Sequence, residues 1–131
     1  MDAKRPSLKI KSKIWIEDQE GKAVFGAGRM RILSAVEEHG SILAASKALG
    51  MSYRAVWGKI KAAEERLGQP ILKKQTGGVR GGGSTLTPFG RTLTEGFRQL
   101  EDLTRMSADT FFRDVFNSAM QAPPDTITSG R

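Results

Sequence analysis

The chain has 131 residues, 38% of them hydrophobic and none of them cysteine, with a formal net charge of +7 and a sequence pI of about 10.1. That length fits one domain, and the lack of cysteine excludes disulfides and thiolate metal sites. So basic a balance points to a polyanionic partner, nucleic acid ahead of an anionic membrane surface. The start MDAKRPSLKI has no apolar signal core and no run is long enough to span a bilayer, so a cytoplasmic, nucleoid-associated protein is the expectation.

In chain order, SLKIKSKIWIE (7–17) alternates, with Leu8, Ile10, Ile14 and Ile16 on one side and Lys9, Lys11, Lys13, Trp15 and Glu17 on the other. That period predicts a strand with one buried face. Glu20-Gly21 supports a turn into a second strand, giving a β-hairpin over 7–25 behind a disordered 1–6. Residues 28–40 predict a helix with an apolar stripe of Met30, Ile32, Leu33 and Val36, closed by Gly40. Ser41 then caps a short Ala-rich helix ending at Gly50, and Ser52 caps a third helix that Gly68 and Pro70 stop. ILKK (71–74) and STLT (84–87) read as the strands of a wing over 71–87. Thr87-Pro88 opens a long helix over 88–118, with Thr as N-cap and Pro at N1, and 119–131 reads as a disordered tail. The expected fold is mainly α with a small β component: a winged helix-turn-helix with an N-terminal β-hairpin and a long C-terminal dimerisation helix.

The helix-turn-helix, at 41–67, needs small residues where its helices cross, and Ala44, Ala45, Ser46 and Ala48 are small. Leu49 and Met51 flank the turn, and Gly50 tolerates the left-handed backbone there. In the third helix Val56, Ile60, Ala63 and Leu67 recur at helical spacing and must pack inward. Arg54, Trp57, Gly58 and Lys61 follow i, i+3, i+4, i+7, shifted by two residues or about 200° around the helix, and face outward. In helix-turn-helix docking the N-terminal end of such a helix enters the major groove. Arg54 suits a bidentate contact to guanine, while Ser52 and Tyr53 suit phosphate, and Ser41 also joins the expected DNA contacts. Gly58 either lets a DNA backbone approach or makes room for Trp57, which itself faces either DNA or the wing.

Residues 52–80 hold seven Lys/Arg against two Asp/Glu, a balance of +5, the densest positive stretch of the chain. It ends at TGGVRGGGST (76–85), where Thr76, Gly77, Gly78 and Arg80 can lie against a duplex as a wing tip, with Arg80 reaching a minor groove or a flanking phosphate. A nucleotide-binding loop is excluded because no Lys precedes Ser84 and a strand follows.

MSYRAVW and TGGVRGGGSTLTPFG together resemble the N-terminal domain of ModE-type molybdate-responsive transcription regulators, a winged helix-turn-helix related to that of LysR-type regulators. The likeness covers about residues 24–116. It implies a dimeric, operator-binding regulator with a link to molybdate or another oxyanion, and gives DNA-contact roles to Ser52, Tyr53, Arg54, Trp57, Thr76, Gly77, Gly78 and Arg80. Such regulators sense molybdate through domains that follow this one, and with the sequence ending at Arg131 molybdate binding is not expected in this chain.

The long helix carries Leu93, Phe97, Leu100, Leu103, Phe111, Phe112, Val115 and Phe116, more apolar surface than a small domain buries alone. These residues are the expected homodimer interface, placing two recognition helices roughly 34 Å, or a multiple, apart on a near-palindromic double-stranded site. His39 beside Glu37 and Glu38 does not make a metal site, no catalytic set is spaced for work, and no cofactor is expected. Lys9, Lys11 and Lys13 protect a strand edge or touch DNA. A non-specific architectural DNA-binding protein is the competing function, and a protein-interaction module the third.

Overall fold

The computed structural model of the protein describes residues 7–76 and 82–121. Its elements in order are β1 (Trp15–Glu17), β2 (Ala23–Gly26), α1 (Ala27–His39), α2 (Ile42–Leu49), α3 (Tyr53–Leu67), β3 (Leu72–Gln75), β4 (Gly83–Leu86) and α4 (Pro88–Gln121). Two compact units result. Among the described residues, one holds 14–99 and the other 7–13 with 100–121.

The first unit holds α1, α2, α3, the start of α4 and two hairpins. β1 and β2 pair antiparallel, with Ile16 opposite Phe25 and an irregularity between Ile16 and Glu17. The Asp18 carboxylate shapes the turn by accepting the N–H groups of Glu20 (2.9 Å) and Lys22 (3.0 Å). The paired strand is much shorter than the alternation predicts. Residues 7–14 adopt no strand, and Leu8 and Ile10 are exposed rather than on a buried face. The physical reason is that β2 offers only four residues, which pair with residues 15–17 alone.

Phe25, Leu33, Val56, Ile71 and Phe97 are fully buried and draw β2, α1, α3, the residue before β3, and α4 around one centre, while Val36 packs with Ala35 and Ala45 in a second cluster between α1 and α2. Phe97 meets Phe25 edge-on at 5.2 Å between ring centroids. Within α2, ahead of the turn into α3, Ala45 and Ser46 are buried and Ser46 Oγ donates to Leu43 O at 2.7 Å. Ala48 is exposed, so it plays no part in the crossing. Gly50 takes the left-handed conformation (φ 68, ψ 31), and the Met51 N–H returns to Ser46 O at 2.9 Å.

The wing strands pair antiparallel from Leu72 with Leu86 to Gln75 with Gly83, each lying a residue from the predicted bounds. The Ser84 N–H reaches Gly40 O at 2.9 Å and ties the wing to the end of α1. Thr87 Oγ1 accepts the Gly90 N–H at 2.9 Å, the expected cap of α4, and donates to Pro70 O at 2.7 Å. A winged helix-turn-helix followed by a long helix is the architecture.

In the second unit, Leu100, Leu103, Met106, Phe111, Val115 and Phe116 are exposed. Phe112 and Phe116 stack at 4.7 Å. No helix among the described residues is long and apolar enough to cross a membrane, and no group of three or more His, Cys, Asp or Glu among them is placed to hold a metal ion.

Candidate nucleic-acid interface

Recognition starts from where α3 begins. Ser52 has extended backbone and its Oγ accepts the Ala55 N–H at 3.0 Å, so the helix starts at Tyr53. Ser41 caps α2 in the same way through the Ala44 N–H, also at 3.0 Å. Both hydroxyls are thereby engaged with their own helices. Val56, Ile60 and Ala63 face the core, which turns Arg54, Trp57 and Lys61 outward. Tyr53 is 48% and Trp57 44% exposed, and Arg54 makes no ion pair with any described residue.

A Cβ added at Gly58 would meet nothing within 4 Å. No described residue beyond its chain neighbours and its own helix backbone therefore demands a glycine there, and whether it makes room for the adjacent Trp57 stays open. Trp57 and Tyr53 line an open groove of about 330 Å³ between α3 and the wing, with Ser41 and Leu43 at one edge and Lys73, Lys74, Gly82 and Ser84 across it. Lys61 Nζ lies 5.7 Å from the Trp57 ring centre, within cation–π range, and pairs with Glu64 Oε1 at 3.2 Å.

The structure brings together Ser41, Tyr53, Trp57 and Lys61 in this groove. Thr76 is exposed at the end of β3, whereas Gly77, Gly78 and Arg80 lie outside the described residues. Among the residues expected at a dimer interface, Phe97 is corrected: at 1% exposure it belongs to the domain's own core, because α4 packs its first turns against Phe25. Leu93 likewise packs against that core. Leu100, Leu103, Phe111, Val115 and Phe116 are exposed and Phe112 is half-buried, and Met106, which the helical stripe did not single out, joins them.

Sequence reasoning missed Leu43, Lys73 and Lys74 as groove residues, and Glu64 altogether. The Glu64 Oε2 accepts the N–H groups of Ile71 (2.7 Å) and Leu72 (3.2 Å), a contact over seven and eight residues that no local pattern announces. Lys73 carried a readable signal, since strand alternation turns it away from the face on which Leu72 packs against the core, whereas Lys74 shares that face and carried none. On the other flank of α3, Arg29 Nε donates to Lys59 O at 3.1 Å. Burial, with the nearby Arg66 charge, holds the Arg29 guanidinium below its ordinary pKa.

Residues 28–91 match the family described as bacterial regulatory helix-turn-helix protein, lysR family. The molybdenum-pterin-binding protein MopB of Rhodobacter capsulatus is 38% identical over 79 residues, which are 60% of this chain and 29% of MopB. The molybdenum transport protein ModE of Azotobacter vinelandii is 38% identical over 73 residues, 56% of this chain and 27% of that protein. This chain thus spans under a third of the length of these relatives. Among solved structures, CbnR, a LysR family transcriptional regulator, superposes with a TM-score of 0.50 at 28% identity over 66% of this chain and 28% of CbnR. Full-length CbnR in complex with its target DNA gives the same values. The outward face of α3, the adjoining wing and these likenesses agree, and residues 28–91 are a DNA-binding helix-turn-helix domain of the bacterial LysR family, similar to that of ModE-type proteins.

Proposed function

We propose that this protein is a sequence-specific, double-stranded DNA-binding transcription regulator that acts as a homodimer on a near-palindromic operator. The observation that carries the reading is the outward face of α3: Tyr53, Arg54 and Trp57 are exposed at its N-terminal end, beside a glycine whose Cβ position meets no other element of the described domain. Arg54 is assigned to a base edge, Lys61, Lys73 and Lys74 to phosphates, and Thr76, Gly77, Gly78 and Arg80 to the wing tip's approach to the duplex. The exposed apolar side chains from Leu100 to Phe116 suit a partner copy. A link to molybdate or oxyanion metabolism is supported by the names of the relatives, and sensing is not assigned to the described residues. A cytoplasmic, nucleoid-associated location accompanies this function.

Selection of tight binders from a random duplex pool at near-physiological salt tests the proposal. An enriched inverted repeat is expected. Retention of DNA with no enriched motif, and with affinity collapsing as salt rises, would instead identify a non-specific architectural protein.

A further inference from the structure

The recognition helix and the wing meet at one carboxylate. Glu64 sits on the wing side of α3 with its side chain 12% exposed. Its Oε2 accepts both N–H groups at the start of β3, from Ile71 and Leu72, and its Oε1 holds Lys61 Nζ at 3.2 Å. Lys61 lies in turn over the ring of Trp57. A carboxylate accepts several donors in well-defined directions, and bonds to a charged acceptor are shorter and stronger than neutral ones. Glu64 therefore fixes two things at once: where β3 leaves α3, and where the Lys61 ammonium stands on the groove wall.

We infer that Glu64 is a positioning residue of the DNA interface, setting the wing against the recognition helix and holding Lys61 across Trp57 so that helix and wing meet a duplex as one preformed surface. The inference rests on the reading of α3 and the wing as the DNA-binding face. Its chemistry makes an unusual demand on sign. Glu64 is an acid among Lys61, Lys73 and Lys74, all of which line the same groove. If charge alone mattered, removing it would raise the net charge by one and tighten binding to any polyanion. If it positions, removing it weakens binding despite the gained charge.

The test is binding of Glu64→Gln, Glu64→Ala and Lys61→Ala to the duplex recovered by selection with the wild-type chain, in a Trp15→Phe background so that emission reports Trp57. Glu64→Gln keeps an oxygen for the β3 amides and turns an amide donor toward Lys61, so it is the variant that preserves the fold, which thermal unfolding checks. The expected result is roughly three- to ten-fold weaker binding by Glu64→Gln, with Trp57 emission shifted as in Lys61→Ala, and a larger loss for Glu64→Ala. Equal or tighter binding by a folded Glu64→Gln overturns the positioning role while leaving the DNA-binding reading intact. A wild-type chain that retains no duplex even at low salt overturns that reading, and this inference with it.

Discussion

Gly90, in the first turn of α4, lies so close to the carbonyl oxygen of Ile71 that a Cβ there could not be accommodated without moving backbone. The same carbonyl accepts the Thr87 N–H at 2.9 Å, and the Thr87 hydroxyl spans Pro70 O and the Gly90 N–H. The long helix is therefore launched from the end of α3's loop by a cap that only glycine permits. Gly90→Ala is expected to lower stability by about 1–3 kcal/mol, as overpacking against backbone does, measured by denaturant unfolding. An unchanged midpoint would show that α4 shifts freely at its start.

Gly58 behaves oppositely. It is inside α3 with open space around it. Ala at an exposed helix-interior site is worth about 1 kcal/mol over Gly. Gly58→Ala should therefore raise thermal stability and, on the proposed DNA-facing role of α3, weaken DNA binding at the same time. Raised stability with unchanged binding would remove Gly58 from the interface.

Much of this was legible in the sequence, and the limits have causes. Helix ends were readable because Ser41, Ser52, Thr87 and the glycines at 40, 50 and 68 act through bonds three or four residues away. The inward stripe of α3 was readable because Val56, Ile60 and Ala63 repeat at the helical period. Residues 7–14 misled because alternation shows which face a strand could bury, but not whether a partner strand exists to pair with it. Phe97 and Leu103 look alike along α4, yet Phe97 is core and Leu103 is exposed, since only tertiary packing decides where the helix leaves the domain. Glu64 was invisible for the same reason: its bonds to Ile71 and Leu72 cross a loop.

That contrast along α4 separates folding from association. Phe97→Ala should cost about 3–5 kcal/mol of domain stability, as loss of a buried aromatic ring does. Leu103→Glu and Phe111→Glu should leave the thermal unfolding of residues 14–99 nearly unchanged while shifting sedimentation toward the monomer. A wild-type chain that sediments as a monomer at every concentration would exclude the homodimer.

Asp18 gives the hairpin a pH signature. The N–H of Lys22, the largest cause, together with that of Glu20 and the Arg66 charge, holds its carboxyl below the ordinary range. A depressed folded pKa means that the contribution is present above the unfolded value, near ~4, and is lost as pH falls through the folded one. Asp18→Ala should accordingly lower thermal stability at pH 6, with the gap to the wild type closing as pH drops below about 4. Parallel curves across that range would mean that the turn does not depend on the charge.

The central claim is that α3 reads base sequence, and Arg54 is its test. Arg54→Ala is to be carried through the same duplex selection as the wild type, with affinities measured over a salt series. Base readout predicts a cost of about 1–3 kcal/mol on the selected site and relaxed preference at one position of each half-site. A uniform loss across all sequences, with the salt slope lowered by about one unit and no position relaxed, would show Arg54 to be a phosphate contact and would contradict the claim.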